Sequence, residues 1–218
     1  MMDKISVNER EFDVLCLLGK GKGGYSYLVT DGINQYTVKQ IHHEPCDYYE
    51  FGNKLESECK DYQKLKKIGI AMPELLDVDV LHERILKEYI EGPTVMELVQ
   101  SKQMKPTYFD QIKWMCNLLY AANTNIDYYP TNFIVRNDHL IYIDYECNDY
   151  AEQWNFENWG IKYWSKTQEF IDYLDEQDIY YTEKDEHVVQ VSFRGENLNS
   201  IDVYVFFDED GDPLVQLR

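Results

Sequence analysis

The chain is short of positive charge: its 218 residues hold 21 Lys and Arg against 40 Asp and Glu, a formal net charge of −19. Such a surface repels nucleic-acid phosphates and anionic lipid headgroups, which argues against direct nucleic-acid or membrane binding. No apolar run is long enough to span a bilayer. Residues 1–12 are polar and charged and lack a signal-peptide core, so a cytoplasmic location is expected. The five cysteines (Cys16, Cys46, Cys59, Cys116 and Cys147) show no metal-ligand spacing, and their odd number does not suit a disulfide framework. Most of them read as small buried apolar side chains. Internal repeats and low-complexity linkers are also missing. What is present is a globular composition, 44% hydrophobic and 15% aromatic with 19 Tyr. That is enough to build a core in one domain or two small lobes.

Residues 12–18, 25–30 and 35–41 read as strands, separated by the glycine-rich stretch 19–24 and by Asp31-Gly32-Ile33-Asn34. Residues 52–67 read as a helix with Leu55, Cys59, Tyr62 and Leu65 or Lys66 on one face, stopped by Gly69 ahead of Pro73. Strands at 75–80 and 84–90 complete an expected five-stranded sheet with one helix. Glu91-Gly92-Pro93 is a break, and the chain is divided into residues 1–91, 92–182 and 183–218. The middle part reads as mainly helical. It has a short helix over 94–101 and a longer one started by Pro106, with Thr107 as N-cap and Asp110 closing the box. Phe109, Ile112, Cys116, Leu119 and Asn123 follow helical spacing, and another helix is expected over 156–177. Short strands at 133–135 and 140–143 flank an Asn137-Asp138 turn. The tail alternates over 188–193, and 201–207 with 213–217 reads as a hairpin around Asp210-Gly211. This β appendage is a candidate surface for a protein partner. The acidic run 208–212 lacks the ligand order and distal Glu of a calcium loop, so it reads as an acidic turn.

The chemistry-bearing residues begin at Gly19-Lys20-Gly21-Lys22-Gly23-Gly24. A dinucleotide fingerprint would open a helix here, but the alternating Tyr25-Ser26-Tyr27-Leu28-Val29-Thr30 follows. A P-loop would end in Gly-Lys-Ser/Thr, which is absent. A glycine-rich hairpin over phosphates remains, with Lys39 on the next strand to hold them. Such a lysine needs a carboxylate to fix it. Glu58 on the amphipathic helix is the expected partner and Glu56 the second choice; two residues apart, they lie on different helix faces.

The order of five pieces carries a resemblance. They are Gly19-x-Gly21-x-x-Gly24; Lys39; a helix Glu; Lys87-Glu88-Tyr89-Ile90-Glu91-Gly92; and Asp127-Tyr128-Tyr129-Pro130-Thr131-Asn132 followed by Ile143-Asp144-Tyr145-Glu146. Over residues 12–165 the chain resembles the protein-kinase-like superfamily, and most of all its small atypical members: RIO-type and lipopolysaccharide-core kinases, choline kinases and aminoglycoside phosphotransferases. The resemblance implies an α+β, bilobal kinase-like fold with ATP and Mg²⁺ as cofactors. Gly19, Gly21 and Gly24 would present amides to the triphosphate. Lys39 would hold the α- and β-phosphates, with Glu58 orienting it. Glu88, Tyr89 and Ile90 would offer backbone groups to adenine. Asp127 would take a hydroxyl proton, and Asn132 and Asp144 would hold the metal.

Departures from the family pattern shape the expected function. Asn125-Ile126 stands where His-Arg precedes the catalytic Asp, Tyr145-Glu146 replaces Phe-Gly, and no Ala-Pro-Glu motif appears. Lys87 falls where an apolar gatekeeper is usual. Trp154, Trp159 and Trp164 read as core packing, with a substrate-facing aromatic surface as the alternative. The expected activity is transfer of the γ-phosphoryl group of Mg·ATP to a hydroxyl acceptor, with a lean to an atypical serine/threonine kinase. A choline- or aminoglycoside-like small-molecule kinase is the alternative, and a nucleotide-binding pseudokinase scaffold is the second.

Overall fold

The computed structural model describes residues 3–21, 23–44, 53–165 and 167, and the backbone of three strands in the tail. The fold class is α+β. Two compact units are formed: Met1–Lys64 with Met72–Ile90, and Leu65–Ala71 with Glu91–Arg218.

The first unit is built on an antiparallel sheet of six strands in the order β1-β2-β3-β4-β6-β5. These are β1 (Lys4–Val7), β2 (Arg10–Gly21), β3 (Gly24–Thr30), β4 (Gln35–Ile41), β5 (Leu75–Asp79) and β6 (Arg84–Glu88). The strands at β2 to β6 follow the sequence reading, but the count of five does not. Lys4-Ile5-Ser6-Val7 adds an edge strand paired with β2. Ile5 and Val7 face inward and join Phe12, Val29, Val38 and Leu86 in one core cluster. The four-residue strand is tied by side chains to the strands at the other end of the sheet order. Arg84 Nη1 donates to Ser6 O (2.6 Å), and the Asn8 amide donates to Asp79 Oδ2 (2.7 Å). Those contacts are tertiary, which is why a short polar segment gave no strand signal.

Helix α1 (Lys54–Ile68) buries Leu55, Glu58, Tyr62 and Leu65 along one stripe. It stops at Gly69, whose φ of +95° is open to glycine at little cost and lets the Gly69 and Ile70 amides bond back to Leu65 O.

The second unit carries α2 (Val95–Gln100) and α3 (Pro106–Ala121), with short strands β7 (Thr124–Ile126), β8 (Phe133–Arg136), β9 (His139–Tyr142) and β10 (Cys147–Asp149). The capping box belongs to α2: Thr94 Oγ1 accepts from the Glu97 amide, and the Glu97 carboxylate accepts from the Thr94 amide. In α3 the expected Thr107 cap is not formed. Pro106 takes the first helical position, Lys105 precedes it without a side-chain cap, and Thr107 lies inside the helix. Pro106 removes one of the amides that a cap would otherwise satisfy. The turn at Asn137-Asp138 holds, both residues having positive φ.

The expected helix over 156–177 is not helical over its described part. Residues 160–163 form a single 3-10 turn. Asn155 caps one turn there, its side chain accepting the Asn158 amide and its carbonyl the Trp159 and Gly160 amides, but the turn does not continue as an α-helix. Residues 168–177 lie outside the described residues. Over its described residues the second unit is therefore less helical than the sequence suggested. Its core gathers Phe109, Ile112, Leu119, Phe133, Tyr142, Phe156 and Trp164. In the tail, β11 (Glu186–Phe193), β12 (Ile201–Asp208) and β13 (Pro213–Leu217) form an antiparallel three-stranded sheet. Residues 209–212 of the acidic turn, with Asp210-Gly211, lie outside the described residues, as do Lys22 and Cys46.

Asp79 anchors the β1 connection. Burial pushes its carboxyl up, but hydrogen bonds from the His82 ring, the His82 amide and the Asn8 amide outweigh that and bring its pKa to about 2. Because the folded value lies below the unfolded one of 3.8, this stabilisation is complete above the unfolded pKa and is lost as pH falls through about 2. Asp79→Ala should cost about 1–3 kcal/mol at pH 7, measured by urea denaturation, and the deficit should shrink toward pH 2.

Candidate functional site

In the first unit the glycine stretch is the arm of the β2–β3 hairpin, closed at the pair Gly21 and Gly24. Register shifts between Val14 and Cys16, and between Leu17 and Gly19, twist this arm. A Cβ at Gly19 would meet nothing within 4 Å, and one at Gly21 would meet only Gly24 O at 3.9 Å. The backbone there is open to close approach. Gly24 serves a different end: a Cβ would stand 3.1 Å from Lys39 Cε and 3.0 Å from Gln40 O. The missing side chain makes room for the stem of Lys39. At the tip, Glu44 accepts from Lys20 Nζ (2.7 Å) and Tyr25 OH (2.5 Å). Those two donors hold the Glu44 carboxyl below its usual range.

Lys39 sits on β4 between Ser26 of β3 and Ile85 of β6. Its ammonium lies 2.6 Å from Glu58 Oε1, with side chains 13% and 4% exposed. Helix phase explains the choice of partner. Glu58 shares the buried stripe of α1, whereas Glu56 points outward and pairs with Lys60 at 2.6 Å. Neither Glu58 oxygen takes a hydrogen bond from elsewhere among the described residues. The carboxylate's compensation is Lys39.

Glu88, Tyr89 and Ile90 follow at the end of β6. The Glu88 amide donates to Glu74 O (2.9 Å), and Glu88 Oε2 accepts from the Glu74 amide (3.2 Å). The Glu88 amide is thus already committed, so of its backbone groups the carbonyl is what Glu88 could offer to a base. Tyr89 is half-buried and Ile90 buried. Lys87 and its cross-strand neighbour Thr37 are both buried polar residues.

In the second unit the structure brings Asp127, Asn132 and Asp144 together by main-chain and side-chain bonds. Asn132 Nδ2 donates to Asp127 O (3.3 Å), and the Ile143 amide donates to Asn132 O (2.8 Å), which sets Asp144 one residue on. Asp127 Oδ1 accepts from the Tyr129 amide (3.0 Å), and Asp144 Oδ1 from the Tyr145 amide (2.8 Å). Both carboxylates act on one phenol. Burial first, then the charges of Asp144 and Asp127, push Tyr142 well above its usual range.

The donor set fits a hard divalent cation. The Asn132 amide nitrogen is spent on a carbonyl, so its Oδ1 is the atom that would meet a cation, and carboxylate and amide oxygens suit Mg²⁺. Among the described residues no three His, Cys, Asp or Glu gather into a metal site. Any such ion would have to complete its shell with water or phosphate oxygens.

Two features here were not foreseen. Antiparallel β7 and β10 place Ile126 opposite Cys147 and Asn125 opposite Asn148, fixing the approach to Asp127. Three-residue strands are too short to show a period. The tryptophans also separate. Trp164 is fully buried against Phe133 and Phe156, and its Nε1 donates to Tyr128 O (2.8 Å). Trp159 instead meets Tyr129 (5.2 Å), Tyr163 (5.4 Å) and the exposed Trp154 (5.9 Å). Core packing thus describes Trp164, while the other two belong to a half-exposed aromatic group beginning two residues after Asp127.

Removing one partner of a buried ion pair strands the other charge. Lys39→Met should therefore destabilise the protein by roughly 3–5 kcal/mol, whereas Lys39→Met with Glu58→Met should recover most of that loss. Urea denaturation of both variants checks this. A single variant costing under about 1 kcal/mol would mean a solvated pair.

No family model matches the chain, and no curated protein matches it. Among the described residues no helix is long and apolar enough to cross a membrane.

Proposed function

We propose that this protein is a phosphotransferase of protein-kinase-like, bilobal fold that moves the γ-phosphoryl group of Mg·ATP to a hydroxyl acceptor. The observation that carries the proposal is the buried Lys39–Glu58 pair beside a glycine hairpin whose arm is open at Gly19 and Gly21. A buried ion pair is a poor stabilising device, because apolar residues of the same volume serve as well or better. Holding one lysine at a fixed point is what such a pair does well, and triphosphate binding uses a lysine so held.

Asp127 is the group that accepts the acceptor's hydroxyl proton. The acceptor oxygen then bonds to the γ-phosphorus while the bond from that phosphorus to the β–γ bridging oxygen breaks, and ADP leaves with the electron pair. Asn132 Oδ1 and Asp144 are the oxygens that would hold Mg²⁺, which when bound neutralises charge on the phosphates. Asn132 also steadies Asp127 through its carbonyl. The acceptor is proposed to be a serine or threonine hydroxyl of a protein. The half-exposed rings of Tyr129, Trp159 and Tyr163 beside Asp127 favour, as a second reading, a small molecule with a face to stack. A cytoplasmic setting, where Mg·ATP is maintained, belongs to the same proposal.

Mg·ATP at a hundredfold excess over its Kd should stabilise the fold by about 2.7 kcal/mol, seen as a rise in Tm that needs Mg²⁺. Asp127→Ala should slow ADP release by roughly 10²–10⁴-fold with nucleotide affinity nearly unchanged, and Asp144→Ala should weaken the metal-dependent binding itself. Binding with no phosphoryl transfer to protein, amino-alcohol or sugar acceptors would favour a pseudokinase scaffold. No binding of any nucleotide would end the proposal.

A further inference from the structure

The sheet face that carries Lys39 carries a second buried lysine. The β4–β6 register sets Lys87 opposite Thr37 and Ile85 opposite Lys39. Alternation along β4 puts Thr37 and Lys39 on the same side. Thr37, Lys39, Ile85 and Lys87 therefore share one face, and Lys87 lies diagonally across from Lys39. The opposite face is apolar and contributes Val29, Val38 and Leu86 to the core with Phe12. Lys87 is 5% exposed and Thr37 9%. Full burial is exceptional for a lysine that is not paired, and Lys87 is engaged within the protein; an apolar side chain would still fill the position at lower cost. Lys87 also directly precedes residues 88–90, the stretch that the family resemblance assigns to the base, just as Lys39 is proposed to meet the phosphates.

A lysine ammonium can only donate hydrogen bonds. The 6-position of adenine bears an amino group, which also donates, so the two leave each other unsatisfied. The 6-position of guanine or hypoxanthine bears a carbonyl oxygen, which accepts. Resting on the phosphotransferase reading, we propose that Lys87, with Thr37 beside it, selects the base of the phosphoryl donor, so that the protein takes a 6-oxopurine triphosphate in preference to ATP. The three N–H groups of the ammonium allow Lys87 to keep a partner within the protein and still reach the base oxygen. The acidity of the chain makes the placement more telling: of 21 Lys and Arg in 218 residues, two lie buried on this one face.

The test compares Mg·ATP with Mg·ITP, whose bases differ in the amino or oxo group at position 6 and, with it, in N1, an acceptor in adenine and an N–H donor in hypoxanthine, and adds Mg·GTP. Kd values are measured with the full-length protein. ITP and GTP should bind roughly 10–100-fold tighter than ATP, the range expected for a hydrogen bond to a charged donor. Lys87→Met should abolish that preference, and Lys87→Arg, which keeps a donor, should retain it. Wild-type protein that binds ATP as tightly as ITP overturns the inference and leaves the phosphotransferase proposal standing. A preference that survives Lys87→Met overturns the assignment to Lys87. If none of the three nucleotides binds, both proposals fall. The wild-type comparison decides the matter even if a variant fails to fold.

Discussion

The ion pair between Lys39 and Glu58 sets requirements on three separate parts of the first unit. Lys39 must sit centrally in the sheet, which β4 ensures by pairing with β3 on one side and β6 on the other. Its stem must lie flat against β3, which the missing side chain of Gly24 permits. Glu58 must point inward, which the phase of α1 dictates through Leu55, Tyr62 and Leu65. Failure of any one leaves a charge in a place where water does not reach, and that is costly. The unit is organised around keeping this one cation fixed, and the apolar cluster on the far side of the sheet supplies the stability that the pair does not.

The distribution of charge separates this pair from the ordinary ones. Lys4 with Glu11, Lys20 with Glu44, Lys60 with Glu56 and Lys105 with Asp138 are all surface pairs, solvated and screened by salt. Each contributes little to stability. Lys39 and Lys87 are buried on one sheet face instead, where the local dielectric is low and a charge counts for more. In a chain of net charge −19, that placement concentrates two of its cations on one face.

Legibility from sequence followed range. Strands β3 to β6 could be read because glycine, asparagine and aspartate mark their ends, and α1 because its apolar period is clean. Glu58 could be chosen over Glu56 from helix phase alone. β1 could not be read: Lys4-Ile5-Ser6-Val7 is too short to alternate convincingly, and its fastening comes from Arg84 and Asp79 some seventy residues away. β7 and β10 are three-residue strands that exist only through each other. Thr107 matched a cap by composition, but Pro106 already occupied the first turn. A helix was expected from residue 156, but after the turn that Asn155 caps the described chain continues only as a 3-10 turn at residues 160–163, where Gly160 is a weak helix former. The order Asp127, Asn132, Asp144 was legible as a motif. The bonds that gather the three depend on the β8–β9 hairpin returning Ile143 to Asn132, which spacing alone does not reveal.

The two units differ in the sign of what they could offer to a nucleotide. The first provides amide-rich backbone and buried ammonium groups, both suited to anions. The second provides the carboxylates of Asp127 and Asp144, close enough to one another to act on the same Tyr142 phenol. Alone, that pair would repel a triphosphate. Asn132 adds an oxygen but no charge, so the protein itself cannot reverse the sign. Only a bound cation can make those carboxylates attractive to phosphate, and the oxygen donors available there suit Mg²⁺ better than a softer metal. Metal dependence of any nucleotide chemistry at these residues therefore follows from electrostatics, whatever hydroxyl the phosphoryl group finally reaches.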